Sequence, residues 1–209
     1  MKAFIFDLDG VLVSTDKYHY QAWKKIADKE GIYFDEKIND RLRGVSRMDS
    51  LEIILERAEK QYTEEEKLAL ATEKNDLYRD LLKNLTPADR LAGVTETLEK
   101  LKEKGYLLAI GSSSRNTPVI LSKIGYDGYF GAVSDGNNIT KSKPDPEVFE
   151  KAAEMLSIPA KECFVVEDSL AGIDAAKSGG FKAIGIGGAA IYAKTDYPIN
   201  AITDILKLI

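Results

Sequence analysis

The 209-residue chain predicts an α/β protein whose parallel-sheet core carries an inserted, all-helical cap. Two observations predict it. Short apolar runs rich in branched residues alternate with helix-length amphipathic stretches, the pattern of βα units stacked around a parallel sheet. Between the first and second of these runs, residues 14–88 contain no strand signal and read as helix throughout. The expected organisation is a Rossmann-like parallel-sheet core from residues 1–14 and 89–209, interrupted by a helical cap at residues 15–88.

The first strand is Ala3–Phe6, and it runs into Asp7-Leu8-Asp9-Gly10. On extended backbone residues i and i+2 share a side, so Asp7 and Asp9 stand close together and repel unless a cation or a proton intervenes. A carboxylate is ionised at neutral pH, which lets Asp7 attack phosphorus while bound Mg²⁺ offsets its repulsion from an anionic phosphate. Asp9 would then hold the proton exchanged with the leaving and attacking oxygens. Taken alone, these residues also fit a glycine-containing surface turn with two solvated aspartates.

In the helical stretch, Tyr20, Trp23 and Ala27 form one apolar stripe, and Leu51, Ile54, Leu55 and Ala58 follow the i, i+3, i+4, i+7 spacing of another. Trp23 reads as core. Thr63 with Glu66 forms a capping-box pattern that opens a further helix, and Pro87 marks the return to the core because proline ends a helix. The later strands fall at residues 106–110, 163–166 and 183–186, with a weaker one at 132–133. Each ends at polar or small residues: Ser112, Asp135, Glu167 with Asp168, and Gly187 with Gly188. In a parallel sheet those ends share one edge, where ligands bind. The residues after Gly188 have weak periodicity and read as a surface loop followed by a terminal element.

The hydrophobic fraction, 44%, is ample for a buried core, and the net charge of −5 without a Lys/Arg run argues against a nucleic-acid-binding surface. The single cysteine, Cys163, excludes an internal disulfide and a cysteine zinc site, and its apolar run makes it a buried strand residue. The N-terminus has no apolar segment of signal-peptide length, and nothing approaches the roughly 18 apolar residues that span a bilayer. A cytoplasmic protein without membrane or nucleic-acid partners is expected.

Asp7-Leu8-Asp9-Gly10, then Ser112 after a strand, then Lys143-Pro144, then Glu167-Asp168-Ser169 after another strand resemble, in order and placement, the four motifs of the haloacid dehalogenase-like superfamily. In the cap, Gly44-Val45-Ser46-Arg47-Met48-Asp49-Ser50-Leu51 is similar to the sugar-phosphate loop of that family's phosphomutases. The stretch from Thr15 to Trp23, Asn75-Asp76 and Ser112-Ser113-Ser114-Arg115-Asn116 are similar as well.

The resemblance implies roles position by position. Asp7 is the nucleophile that forms an aspartyl phosphate, and Asp9 is the general acid and base. The Asp9 main-chain carbonyl, with Asp7, Glu167 and Asp168, would hold one Mg²⁺. Ser112 and Lys143 would hold the transferring phosphoryl oxygens, and Arg47 would grip the distal phosphate. Gly44, Val45, Ser114, Arg115 and Asn116 would contact a sugar bisphosphate. His19 would bond near the acid–base aspartate, although a packing role beside Trp23 fits it equally. Arg43, a cap-to-core contact and substrate-binding candidate, and Arg115 stand where the phosphomutases have lysine, so charge is kept while geometry changes.

The reaction implied interconverts β-D-glucose 1-phosphate and D-glucose 6-phosphate, with β-glucose 1,6-bisphosphate as activator and intermediate, in a monomer. Plainer readings stand beside these roles: Lys143 as a solvated loop residue, Glu167 and Asp168 as complements to a helix dipole, and Arg47 as an exposed helix-start residue after the N-cap Ser46. The alternative functions are a Mg-dependent sugar-phosphate phosphatase and a silent sugar-phosphate-binding regulator. The regulator would be expected to lack the nucleophile, and Asp7 is present.

Overall fold

The computed structural model describes residues 2–209. In chain order the elements are β1 (Ala3–Phe6), α1 (Asp16–Lys29), α2 (Glu36–Asp40), α3 (Arg47–Leu55), α4 (Glu64–Leu82) and α5 (Val94–Glu103). They continue with β2 (Leu107–Gly111), α6 (Thr117–Lys123), β3 (Ala132–Ser134), α7 (Glu147–Met155), β4 (Cys163–Glu167), α8 (Leu170–Ser178), β5 (Lys182–Gly185) and β6 (Tyr197–Pro198). The strands form one sheet in the order β3-β2-β1-β4-β5-β6, and every pairing is parallel. This is the Rossmann-like order, in which the chain leaves β1 in opposite directions and opens a crevice beyond the carboxyl ends of β1 and β4.

Alternation along β1 builds both faces of the core. Phe4 and Phe6 point to the side covered by α5 and α6, with Leu98, Leu101, Ile120 and Leu121, while Phe4 stacks on Phe164 at 5.0 Å between ring centroids. Ala3 and Ile5 face α7 and α8, with Phe149, Ala152, Ile173 and Ala176. A sheet covered on both faces needs strands apolar at every position, and all four residues of β1 are fully buried.

The helices between β1 and the 3-10 turn Pro87–Asp89 have a core of their own, in which Trp23, Ile26, Phe34, Ile38, Leu51, Ile54 and Leu70 cluster. The far half of α4 leaves that cluster, and Tyr78 and Leu82 join the sheet-side core with Tyr18 and Ala22 of α1. The stretch is not continuous helix. It is restarted by N-caps: Asp35 accepts from the Ile38 N–H at 2.9 Å, Ser46 from Asp49 at 3.2 Å, and Thr63 closes a capping box with Glu66.

Three sequence expectations need correction. Strands β2 and β5 are each displaced by one residue, because the Tyr106 N–H is spent on the Leu101 carbonyl at the end of α5, while Lys182 pairs with Phe164. The segment after Gly188 is not merely a surface loop with a terminal element. It contributes the edge strand β6 and a 3-10 turn at Ile202–Lys207 against α5, burying Ile199, Ile202 and Ile205.

Candidate active site

The register of β1 on β4, Phe6 opposite Val166, puts the residues that follow each strand side by side. The Asp7 N–H donates to the Val166 carbonyl at 2.9 Å, which fixes the backbone at the strand end. Carboxylate oxygens of Asp7, Glu167 and Asp168 lie within 4.8 Å of one another. Lys143 enters this cluster from the loop before α7, donating to Asp7 Oδ1 at 2.5 Å and to Glu167 Oε1. Glu167 is wholly buried and also accepts from the Ser169 N–H at 3.0 Å and the Ser169 hydroxyl at 2.8 Å. The fit is close enough that two glycines are required. A Cβ on Gly10, whose φ of +86° already disfavours other residues, would collide with the Asp168 carboxylate, and one on Gly172 would collide with that of Glu167.

Three carboxylates face one ammonium here, so negative charge is in excess. Although burial lowers the Lys143 ammonium, Asp7 and Glu167 together hold it above the usual lysine range. Burial is also the main force on the acids: it outweighs Lys143 and pushes Asp7 up to about 7. Burial followed by the like charges of Glu167, Asp7 and Asp9 raises Asp168 to about 8. Oxygen donors that are reluctant to ionise together suit a hard divalent cation, which would supply the missing positive charge.

Asp9 lies outside that cluster, with its side chain turned to the linker into α1. Its carboxylate accepts from the Thr15 N–H at 2.6 Å and from the Thr15 hydroxyl, and the latter contacts the Tyr78 hydroxyl at 2.8 Å. His19 Nε2 is 3.7 Å from Asp9 Oδ2. Burial pushes Asp9 up to about 6 against the opposing hydrogen bonds of Thr15.

The β2–α6 loop supplies neutral and cationic groups. The Ser112 N–H donates to the Ser134 carbonyl at 3.1 Å, and its hydroxyl accepts from the Ser114 N–H at 3.3 Å. Arg115 is braced by the Gly136 carbonyl at 3.1 Å. Asn116 donates across to Asn75 of α4 at 3.0 Å, a hydrogen bond joining the helical stretch to the core. From the other side Arg43 pairs with Asp16 at 2.5 Å and reaches Asp168 at 3.8 Å. Arg47 is half-buried and lies near enough to Arg115 to feel its charge.

One cavity of about 480 Å³ takes in Asp7, Asp9, His19, Arg43, Gly44, Val45, Arg47, Ser112, Ser114, Arg115, Asn116, Lys143 and Asp168. Glu167 does not line it and sits behind Lys143. Sequence reasoning gave Thr15 no role beyond its place in a family-like stretch and missed Tyr78 and Lys74. Lys74 is buried on α4, its ammonium 2.9 Å from His19 Nδ1 and over the Trp23 and Tyr78 rings at 4.8 and 4.6 Å. Burial, with Arg47 beside it, pushes Lys74 down to about 7, while burial and then Lys74 push His19 well below the usual range. The signal was a lysine on the stripe Leu70, Lys74, Tyr78, Leu82, whose i, i+4 spacing marks a buried helix face.

A parallel sheet with a carboxylate at the end of its first strand, a buried lysine against it and acids after the fourth strand defines a class. The haloacid dehalogenase-like hydrolase model matches residues 1–180, and the chain belongs to that family. Within it, the chain is 42% identical to a beta-phosphoglucomutase of Bacillus subtilis (strain 168), over 98% of this chain and 92% of the relative. It is 33% identical to a phosphorylated carbohydrates phosphatase of Thermotoga maritima, over 88% of this chain and 84% of that protein. Among solved structures, the crystal structure of beta-phosphoglucomutase from Clostridium difficile superposes with a TM-score of 0.92 at 36% identity, covering 98% of this chain and 93% of that one.

Proposed function

We infer that the chain is a phosphomutase interconverting β-D-glucose 1-phosphate and D-glucose 6-phosphate. The observation that carries this is the pairing, in one cavity, of the Asp7–Lys143 centre with a separate cationic group, Arg47 and Arg115. A monophosphate needs one such group; a sugar bisphosphate needs two.

In this reading Asp7 attacks phosphorus at one end of β-glucose 1,6-bisphosphate. The Asp7 oxygen–phosphorus bond forms, the phosphorus–sugar oxygen bond breaks, and Asp9 gives its proton to the departing oxygen. The reverse transfer, to the hydroxyl at the other end of the next sugar phosphate, returns a proton to Asp9. A group held near pH 6 is poised for both directions. To reach the reacting oxygen Asp9 exchanges its Thr15 partners for substrate, with His19 and Lys74 waiting on the cap side. Lys143 and Ser112 steady the phosphoryl oxygens, and Arg47 with Arg115 holds the phosphate that does not react.

Asp7, Asp168 and the Asp9 carbonyl would hold Mg²⁺, with Glu167 as the near ligand behind them, and the cation would supply charge neutralisation between carboxylate and phosphate. The bisphosphate serves as activator by placing the first phosphoryl group on Asp7. We place the enzyme in the cytoplasm as a monomer; none of its described helices is long and apolar enough to cross a membrane.

Turnover of β-glucose 1-phosphate should stop when divalent cations are chelated and return with Mg²⁺. The cation must find Asp7 and Asp168 ionised, and both hold their protons to about 7 and 8. Lowering the pH from 8 to 6 therefore weakens Mg²⁺ binding, by up to about tenfold per unit for each proton displaced. Titrating Mg²⁺ at several pH values checks this, and activity that survives chelation would overturn the metal-dependent mechanism.

A further inference from the structure

Asn39, on the short helix α2, lines the cavity and is only 8% exposed. Its main chain is satisfied: the N–H donates to the Asp35 carbonyl at 3.0 Å and the carbonyl accepts from Leu42 at 2.9 Å. Its carboxamide, with two donor hydrogens and an acceptor oxygen, makes no hydrogen bond to any described residue. The other buried amide and ions of the cavity are committed. Asn116 is bonded to Asn75, Lys74 to His19, and Lys143 to Asp7 and Glu167. The Asn39 carboxamide therefore faces the cavity with its donors and acceptor open to whatever enters.

The chemistry of that occupant follows from the group. The arginines and Lys143 serve phosphate charge, whereas a neutral carboxamide that both donates and accepts complements a hydroxyl, which does the same. The backbone presenting it is fixed, because Asp35 caps α2 and Ile38 is buried in the cap core. We propose that Asn39 is a specificity-determining residue that reads one ring hydroxyl of the hexose between the two phosphate-binding groups. The assignment rests on the phosphomutase reading given above.

The test compares wild type with Asn39→Ala and Asn39→Ser on β-glucose 1-phosphate and on its 2-, 3- and 4-deoxy analogues, with thermal melting to register folding. Wild type is expected to lose about 10- to 100-fold in kcat/KM on the analogue lacking the hydroxyl that Asn39 reads. Asn39→Ala should lose a similar factor on the parent sugar and almost nothing further on that one analogue, while discrimination against the other two persists. Asn39→Ser, which keeps a polar group on a shorter stem, should fall between.

Equal losses on all four substrates, or unchanged ratios between them, would overturn the assignment while leaving the phosphomutase reading intact. A wild-type chain that leaves the parent sugar phosphate unreacted would overturn both.

Discussion

Asp7→Asn is expected to lower turnover by about 10⁴-fold or more, the scale seen when a covalent nucleophile is removed. The amide has the shape of the carboxylate but no charge with which to attack phosphorus, and no other carboxylate takes its place. Glu167 is enclosed by Lys143 and Ser169, Asp168 borders Arg43, and Asp9 is bonded to Thr15. Binding of sugar phosphate should survive, because the substitution removes a negative charge from an over-acidic site. Stopped-flow detection of phosphoenzyme together with calorimetric titration of glucose 6-phosphate separates the two effects. Turnover within tenfold of wild type would remove Asp7 from the mechanism.

Lys143→Ala should damage both stability and chemistry. The side chain is 1% exposed and its ammonium is shared between Asp7 and Glu167. Removing one partner of a buried ionic group leaves uncompensated charge, which destabilises by about 3–5 kcal/mol. Loss of a cation beside the transferring phosphoryl group should lower kcat by about 10²–10³-fold.

The sign with pH is distinctive. Without Lys143 the buried acids are tolerated only when protonated, so the stability deficit should be larger at pH 8 than at pH 5 and should shrink when Mg²⁺ is added. Urea denaturation at both pH values, with and without Mg²⁺, measures it. A variant as stable as wild type at pH 8 without Mg²⁺ would contradict the ion-pair account.

What could be read from sequence was whatever a parallel sheet forces. Strands β1 and β4 are buried on both faces and so appear as unbroken apolar runs. Once they are parallel, Asp7 and Glu167-Asp168 must meet at one edge, however far apart in the chain. Edge strand β6 has two residues, one of them proline, and the 3-10 turn after it has no helical period, so the packing of Ile199, Ile202 and Ile205 left no local pattern.

The site residues that escaped notice share another cause. Thr15 and Lys74 are polar side chains whose importance lies in what surrounds them: a hydrogen bond to Asp9 for the first, His19 and two aromatic rings for the second. Composition and spacing do not encode surroundings. Glu167 shows the converse, since its motif points to the acidic cluster with Asp7 and Asp168, while only the packing shows that Lys143 stands between it and the cavity.

The relatives include both a mutase and a phosphatase, and the shared core chemistry allows either outcome: the phosphoryl group on Asp7 passes to a sugar hydroxyl or to water. The most direct measurement follows β-glucose 1-phosphate with Mg²⁺ and a trace of β-glucose 1,6-bisphosphate by ³¹P NMR, recording glucose 6-phosphate and free phosphate together. Rapid appearance of glucose 6-phosphate with little free phosphate is the predicted result. Free phosphate as the main product would mean that Arg47 and Arg115 do not hold a second phosphate long enough for transfer, and would contradict the phosphomutase assignment.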